Sequence, residues 1–223
     1  MLGPAVLALA WAGPAAAVHC RTSPAPGLDW TDCNKSRLML RGADLEGATL
    51  LGTDFTLTDL RDANLRSANL EKAKLVRTSL AGAKAEKANF DRVEAHRSSF
   101  VDMSAEGASF TNAALQRADF SRAHLSGVTF EKAELGRAKF TGAKLRGIRF
   151  SRANLSRADL SGAIIEGPIA LDHSVLFLTR IEGVDLSSAT GLHQAQVNLA
   201  CGDAATKLPP ELTVPPTWPC GFD

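Results

Sequence analysis

From Leu40 to Ile165 every fifth residue of the chain is apolar, through Leu45, Leu50, Phe55, Leu60, Leu65 and onward to 26 positions in one unslipped register. Two residues before each stands a compact one, most often alanine, as at Ala43, Ala48, Ala63, Ala68 and Ala73. The exceptions in that column, such as Thr53, Thr78, Val93, Met103, Val128 and Ile148, are also small or apolar. The remaining three positions are overwhelmingly polar. A strict five matches neither the 3.6-residue rhythm of a helix nor the simple alternation of a strand. It is an internal repeat, in which each unit buries little alone and neighbouring units bury one another.

Units such as Arg61-Asp62-Ala63-Asn64-Leu65, Arg66-Ser67-Ala68-Asn69-Leu70 and Ser156-Arg157-Ala158-Asp159-Leu160 resemble the pentapeptide-repeat proteins, whose motif is A-(D/N)-L-x-x. The resemblance covers roughly residues 28–192. It implies an all-β fold, a right-handed quadrilateral β-helix with four pentapeptides in each coil. The stretch Val184 to Cys220, with Ser188-Ala189-Thr190-Gly191-Leu192, Cys201-Gly202-Asp203 and Trp218-Pro219-Cys220, resembles the disulfide-bearing tail of exported bacterial members.

Bulky and slim residues give an independent reason for four sides. Phe90, Phe100, Phe110, Phe120, Phe130, Phe140 and Phe150 alternate with Ala85, Ala95, Ala105, Leu115, Leu125, Leu135 and Leu145. Four units per coil stack Phe90, Phe110, Phe130 and Phe150 on one side, and Phe100, Phe120 and Phe140 on the opposite one. Three would scatter the rings over every side. Two bulky and two slim walls fill a narrow square interior without voids. At ~4.8 Å per coil, the repeats make a rod of ~6.5 coils and ~31 Å.

The expected division is a signal peptide at 1–17, an N-terminal lead-in and cap at 18–29, the β-helix at 30–191, and a cap helix with an extended tail at 192–223. The register traces back through Trp30 and Cys33. It slips near 166–175, at Gly167-Pro168, and resumes with Leu176, Ile181 and Leu186, Val184 pointing inward. Residues 192–200 read as a short capping helix with Gly202 just past its end. The Pro-rich stretch 208–219 reads as extended.

Composition changes the picture in three places. Residues 1–17 are uncharged and end in Ala15-Ala16-Ala17, the small-residue pattern of a signal cleavage site, which places the mature chain in the periplasm or outside a bacterial cell. Four cysteines, Cys20, Cys33, Cys201 and Cys220, suit two disulfides in such a compartment and allow three connectivities. On the rod the resemblance implies, the two ends are too far apart for a bridge, so pairing within each end is expected unless the tail folds back along the rod. A net charge of +1 supplies neither the basic footprint of a nucleic-acid binder nor the acidic one of a DNA mimic.

Candidate chemistry is sparse. His19, His96, His124, His173 and His193 are scattered, no Cys/His ligand spacing occurs, and no catalytic motif is present. The chain is accordingly read as a non-enzyme without metal or cofactor. One outward feature remains. Arg77, Arg97, Arg117, Arg137 and Arg157 fall twenty residues apart and should line one corner; Lys72, Arg92, Lys132 and Arg152 form a second column, interrupted by Asn112, on the adjacent corner. Glu71, Asp91 and Glu131 lie close enough to neutralise the second column, Asp119 and Asp159 less completely the first. Gly47, Gly107, Gly127 and Gly147 on one corner, with Gly42, Gly82, Gly142 and Gly162 on another, suit turns that need positive φ.

These readings converge on a non-catalytic, exported scaffold or interaction module that presents flat, partly basic faces to a protein or an anionic envelope partner. The alternative is an inhibitor or protector of a nucleic-acid enzyme such as DNA gyrase, a role some family members have. It calls for an acidic rod in the cytosol, and the charge and the apparent signal argue against it.

Overall fold

Every pentapeptide folds alike because its residues divide into two that must be buried and three that need not be. In the computed structural model, which describes residues 19–221, the fifth-position residue and the compact residue two before it both face inward; the one between them faces out. The predicted signal segment 1–17 lies outside the described residues. Each outward residue forms a parallel bridge with the residue twenty positions on, Asn34 with Asp54, Asp54 with Lys74 and Lys74 with Glu94. An offset of twenty is four pentapeptides to a coil. Corners close when the carbonyl of the fifth-position residue accepts the N–H three residues on, as from Ala43 to Leu40 at 3.0 Å and from Ala113 to Phe110 at 3.1 Å.

The interior is two facing stacks of rings. Phe90, Phe110, Phe130 and Phe150 lie parallel with successive centroids 4.6, 5.0 and 5.3 Å apart; Phe100, Phe120 and Phe140 follow at 4.6 and 5.2 Å. Across the rod the two stacks meet edge to face, at 5.6 Å between Phe110 and Phe120. Hydroxyls in the compact column are satisfied without water: Thr53 donates to the Trp30 carbonyl and Thr58 to that of Lys35, both at 2.6 Å, and Thr78 to that of Phe55 at 2.7 Å. Ser98 does the same to Leu75. A buried hydroxyl so paired loses little relative to alanine.

Longer strands develop only toward the C-terminal half: β1 (His124–Ser126), β2 (Lys144–Arg149), β3 (Ile164–Ala170) and β4 (Ala189–Thr190) make one parallel sheet in that order. Between β2 and β3 the offset changes from twenty to twenty-one, since Arg146 pairs with Glu166 but Ile148 with Ile169. Gly167, at φ 85°, and Pro168 accommodate the added residue. Beyond it Leu171, Leu176, Ile181, Val184 and Leu186 are buried.

Both ends depart from the repeat. At the N-terminal end Cys20 is bonded to Cys33, their Cα atoms 5.5 Å apart. Lys35 stands at an inward position that pattern alone reserves for an apolar side chain. It is nearly buried, with Nζ donating to the Cys20 carbonyl at 2.6 Å and lying 3.6 Å from the centre of the Trp30 ring. At the other end the bridges continue past residue 191, Arg180 with Cys201 and Asp185 with Lys207, so the ladder outruns the recognisable repeats. A four-residue helix, α1 (Gln194–Val197), is inserted within that last turn, with Val197 buried. Gln196 Nε2 donates to the carbonyls of Leu171 and Ser174, both at 2.9 Å, which ties α1 to the coil beneath. The Pro-rich tail is not extended throughout, because turns form from Leu212 to Pro209 and from Trp218 to Pro215. Cys201 is bonded to Cys220, and the Trp218 indole lies against Gly202 while donating to the Ala200 carbonyl at 2.6 Å.

Candidate functional site

The corners carry the outward chemistry. The second residue of nearly every corner takes positive φ, whether or not it is glycine. Among the described residues twenty non-glycine residues do so, beside the glycine corners expected from the sequence. All nine basic candidates are among them, at φ 55–60°. The coil must turn a right angle in two residues, and that conformation closes the parallel square throughout the regular repeats. The left-handed residue is pushed into solvent, which is why long, polar, flexible side chains collect there.

Backbone bonds hold the first column in line. Arg77 N–H donates to the His96 carbonyl, Arg97 to Gln116, Arg117 to Gly136 and Arg137 to Ser156, all at 2.9–3.0 Å, so each arginine sits directly below the next. The same corner continues downward to Leu57 and Arg37, which the spacing argument had not included. All five arginines of the column are exposed, and none has an ion pair within 4.0 Å or a side-chain hydrogen bond to a described residue.

The carboxylates expected to neutralise this column are engaged elsewhere. Asp119 accepts the Ser121 N–H at 2.9 Å. Asp159 accepts from Ser161 and pairs with Arg180 at 3.2 Å. The second column, on the neighbouring corner, differs. Glu71 lies 3.0 Å from Arg92 and 3.9 Å from Lys72, and Glu131 lies 3.6 Å from Lys132. Asp91 does not join them, because it accepts from Ser109 and from the Thr111 N–H instead. Arg152 has no ion pair with a described residue. The structure thus divides nine equivalent-looking cations into a column in which Lys72, Arg92 and Lys132 are paired and one in which no member is paired with a described residue.

Charge is also segregated along the rod. Residues 70–160 hold 17 of the 25 Lys and Arg but only 10 of the 24 Asp and Glu. The middle coils are therefore strongly basic and the ends acidic, which a net charge of +1 conceals. Elsewhere ion pairs cross from coil to coil; Arg122 grips Asp102 through both oxygens at 2.8 and 2.7 Å. That contact holds the Asp102 carboxyl below its ordinary range.

Two other features lie away from these columns. Three glycines in column, Gly107, Gly127 and Gly147, leave an open notch of about 480 Å³ bordered by Glu106, Ser126 and Arg146. Its floor is backbone already committed to the ladder. At the N-terminal end the fold brings His19, Cys20 and Cys33 within 4.8 Å, a proximity invisible in their spacing. The two sulfurs are bonded to each other, so no thiolate is offered there. Among the described residues no helix is long and apolar enough to cross a membrane.

Comparison with known proteins agrees with the architecture. A model described as a pentapeptide repeat region matches residues 73–150, and one of pentapeptide repeats in eight copies matches residues 40–75. No curated protein sequence matches the chain. Among solved structures it is similar to HetL, a pentapeptide repeat protein involved in heterocyst differentiation regulation from the cyanobacterium Nostoc sp. strain PCC 7120. Identity is 24% and the TM-score 0.58, over 79% of this chain and 90% of that one. A pentapeptide repeat protein of the Arabidopsis thaliana thylakoid lumen matches at 26% identity and a TM-score of 0.43, over 44% of this chain and 68% of its own. Full-length QnrB1, a plasmid-mediated fluoroquinolone resistance protein, matches at 16% identity and a TM-score of 0.47, covering 83% and 91%. The architecture shared with HetL is the right-handed β-helix, the hand that parallel crossovers take. In its five-residue register, its four-sided coil and the models it matches, the chain belongs to the pentapeptide-repeat family.

Proposed function

We propose that this protein is a non-catalytic, exported interaction module whose bare arginine corner binds an anionic partner. The observation that carries the reading is the column Arg77, Arg97, Arg117, Arg137 and Arg157, in which exposed guanidinium groups stand one coil apart without ion pairs to described residues. Like charges so placed repel, and nothing in the fold requires them, since Leu57, Gly and Asn occupy equivalent corners. A guanidinium fork is suited to carboxylate and phosphate oxygens. The two disulfides support a location outside the reducing cytosol. We read α1 and the tail as the cover of the last coil, supported by the Gln196 bonds to that coil and the Cys201–Cys220 link.

Retention on an anionic polymer such as polyphosphate, measured at low salt, tests this function. The wild-type chain is expected to be retained and released as salt rises. Replacing the five arginines by glutamine is expected to abolish retention; equal retention of the variant would remove the reading.

A further inference from the structure

The bare arginine column runs into apolar surface. Arg157 N–H donates to the Phe177 carbonyl at 2.8 Å, so Phe177 and Leu178 form the same corner one coil further on. Leu178 N–H in turn donates to the Leu199 carbonyl at 2.7 Å, placing Leu199 above them. Val175, on the adjoining side, bridges Asn154. Val175, Phe177 and Leu199 are 46, 46 and 49% exposed and lie together, whereas Leu38, Met39, Ile164 and Val214 are exposed elsewhere on the molecule. At the opposite end of the corner Leu57 is 46% exposed. The corner is thus one straight edge, cationic in the middle and apolar at its C-terminal end.

The edge is convex. The open notch lies on a different corner, at Gly107, Gly127 and Gly147. A ridge of this shape meets its complement in a flat, deformable sheet. A bilayer rich in anionic lipids offers phosphates for guanidinium groups and, just beneath them, an apolar boundary for Phe, Leu and Val.

We propose that this edge docks the rod on the surface of an anionic lipid bilayer, with the five arginines at the phosphates and Val175, Phe177 and Leu199 entering the boundary between head groups and acyl chains. The proposal rests on the reading of the column as an anion-binding surface and names its partner.

Flotation of the full chain with lipid vesicles tests it. The protein is expected to float with vesicles of phosphatidylcholine mixed with phosphatidylglycerol, to stay behind with phosphatidylcholine alone, and to be released by salt. Exchanging all five arginines for glutamine should weaken vesicle binding roughly a hundredfold or more. The triple variant Val175→Ser, Phe177→Ser, Leu199→Ser should weaken it about tenfold or more while leaving retention on soluble polyphosphate unchanged. These side chains are already half exposed, so each variant is expected to fold, which circular dichroism melts check. Phe177→Trp should be quenched by lipids brominated on their acyl chains. Polyphosphate binding without flotation would overturn the bilayer proposal and leave the anion-binding reading standing; loss of both would remove both. Undiminished flotation of the triple variant, an unquenched Phe177→Trp, or stronger retention on polyglutamate than on vesicles would each overturn it, the last in favour of an acidic protein.

Discussion

Phe120 and its neighbour Ser121 show how sharply one residue's role depends on its place in the repeat. Phe120 is fully buried between Phe100 and Phe140, with the edges of Phe110 and Phe130 against it. Phe120→Ala is expected to cost about 3–5 kcal/mol through lost burial and a cavity that stiff neighbouring coils cannot close. Phe120→Asp should prevent folding, since an uncompensated charge there has neither water nor partner. Ser121→Ala should change the denaturation midpoint by no more than about 0.5 kcal/mol in equivalent stability. A second residue-scale expectation concerns backbone strain. Arg117 holds φ 60°, which costs a non-glycine residue about 1 kcal/mol. Arg117→Gly should therefore be more stable than Arg117→Ala by a similar amount, although both delete the same charge. Urea midpoints of the two variants decide it.

At the scale of elements, the ends behave differently from the coils. Two carboxylates near them are held well below the ordinary 3.8, each at about 2. For Asp59 the first cause is its hydrogen bond with Arg61; for Asp185 it is the Ser187 hydroxyl, then Lys207. A carboxylate whose folded pKa is depressed contributes stability above its unfolded pKa and loses it as pH falls toward the folded one. Acidification from about pH 4 to about pH 2 is thus expected to loosen the end coils, where Asp185 bridges Lys207 and Asp59 bridges Met39, ahead of the phenylalanine core. Hydrogen exchange at pH 3 against pH 6 checks this order. In the double variant Asp59→Asn, Asp185→Asn the ends should lose less protection on acidification than in the wild type.

The same scale shows where pattern reading stops. The repeat, its inward columns and the stacked rings were legible because each pentapeptide repeats one local rule. Lys35 was not, because its burial depends on the Cys20 carbonyl and the Trp30 ring that the end cap folds against it. Nor was the continuation of bridges past residue 191. Once the five-residue phase is lost, an exposed strand edge still recruits Cys201 and Lys207 by backbone hydrogen bonds that no side-chain pattern announces.

For the whole molecule, the coil rather than the pentapeptide is the unit of replacement. Deleting residues 101–120 removes one full turn and leaves every column in place. That variant is expected to fold as a shorter rod with one fewer arginine in the column. Deleting residues 116–120 shifts everything beyond by one side, setting Phe130 over the slim Ala105 wall. It should be strongly destabilised despite losing fewer residues, by overpacking on one side and a void on the other. Circular dichroism and thermal melts of the two deletions distinguish these outcomes. The same geometry confines any binding to convex edges and flat sides.

The amino-acid order alone determined the four-sided coil, because burying two residues in every five while alternating ring with slim side chain has one well-packed solution. It also placed nine basic residues on two adjacent corners. Which of those corners is partly paired and which is bare was decided only by the tertiary structure. Carboxylates next to the cations in sequence have a choice of hydroxyls, amides and guanidiniums from the coils above and below. Asp119 and Asp159 turn to those partners, and that choice leaves the column from Arg77 to Arg157 facing solvent without an ion pair to a described residue.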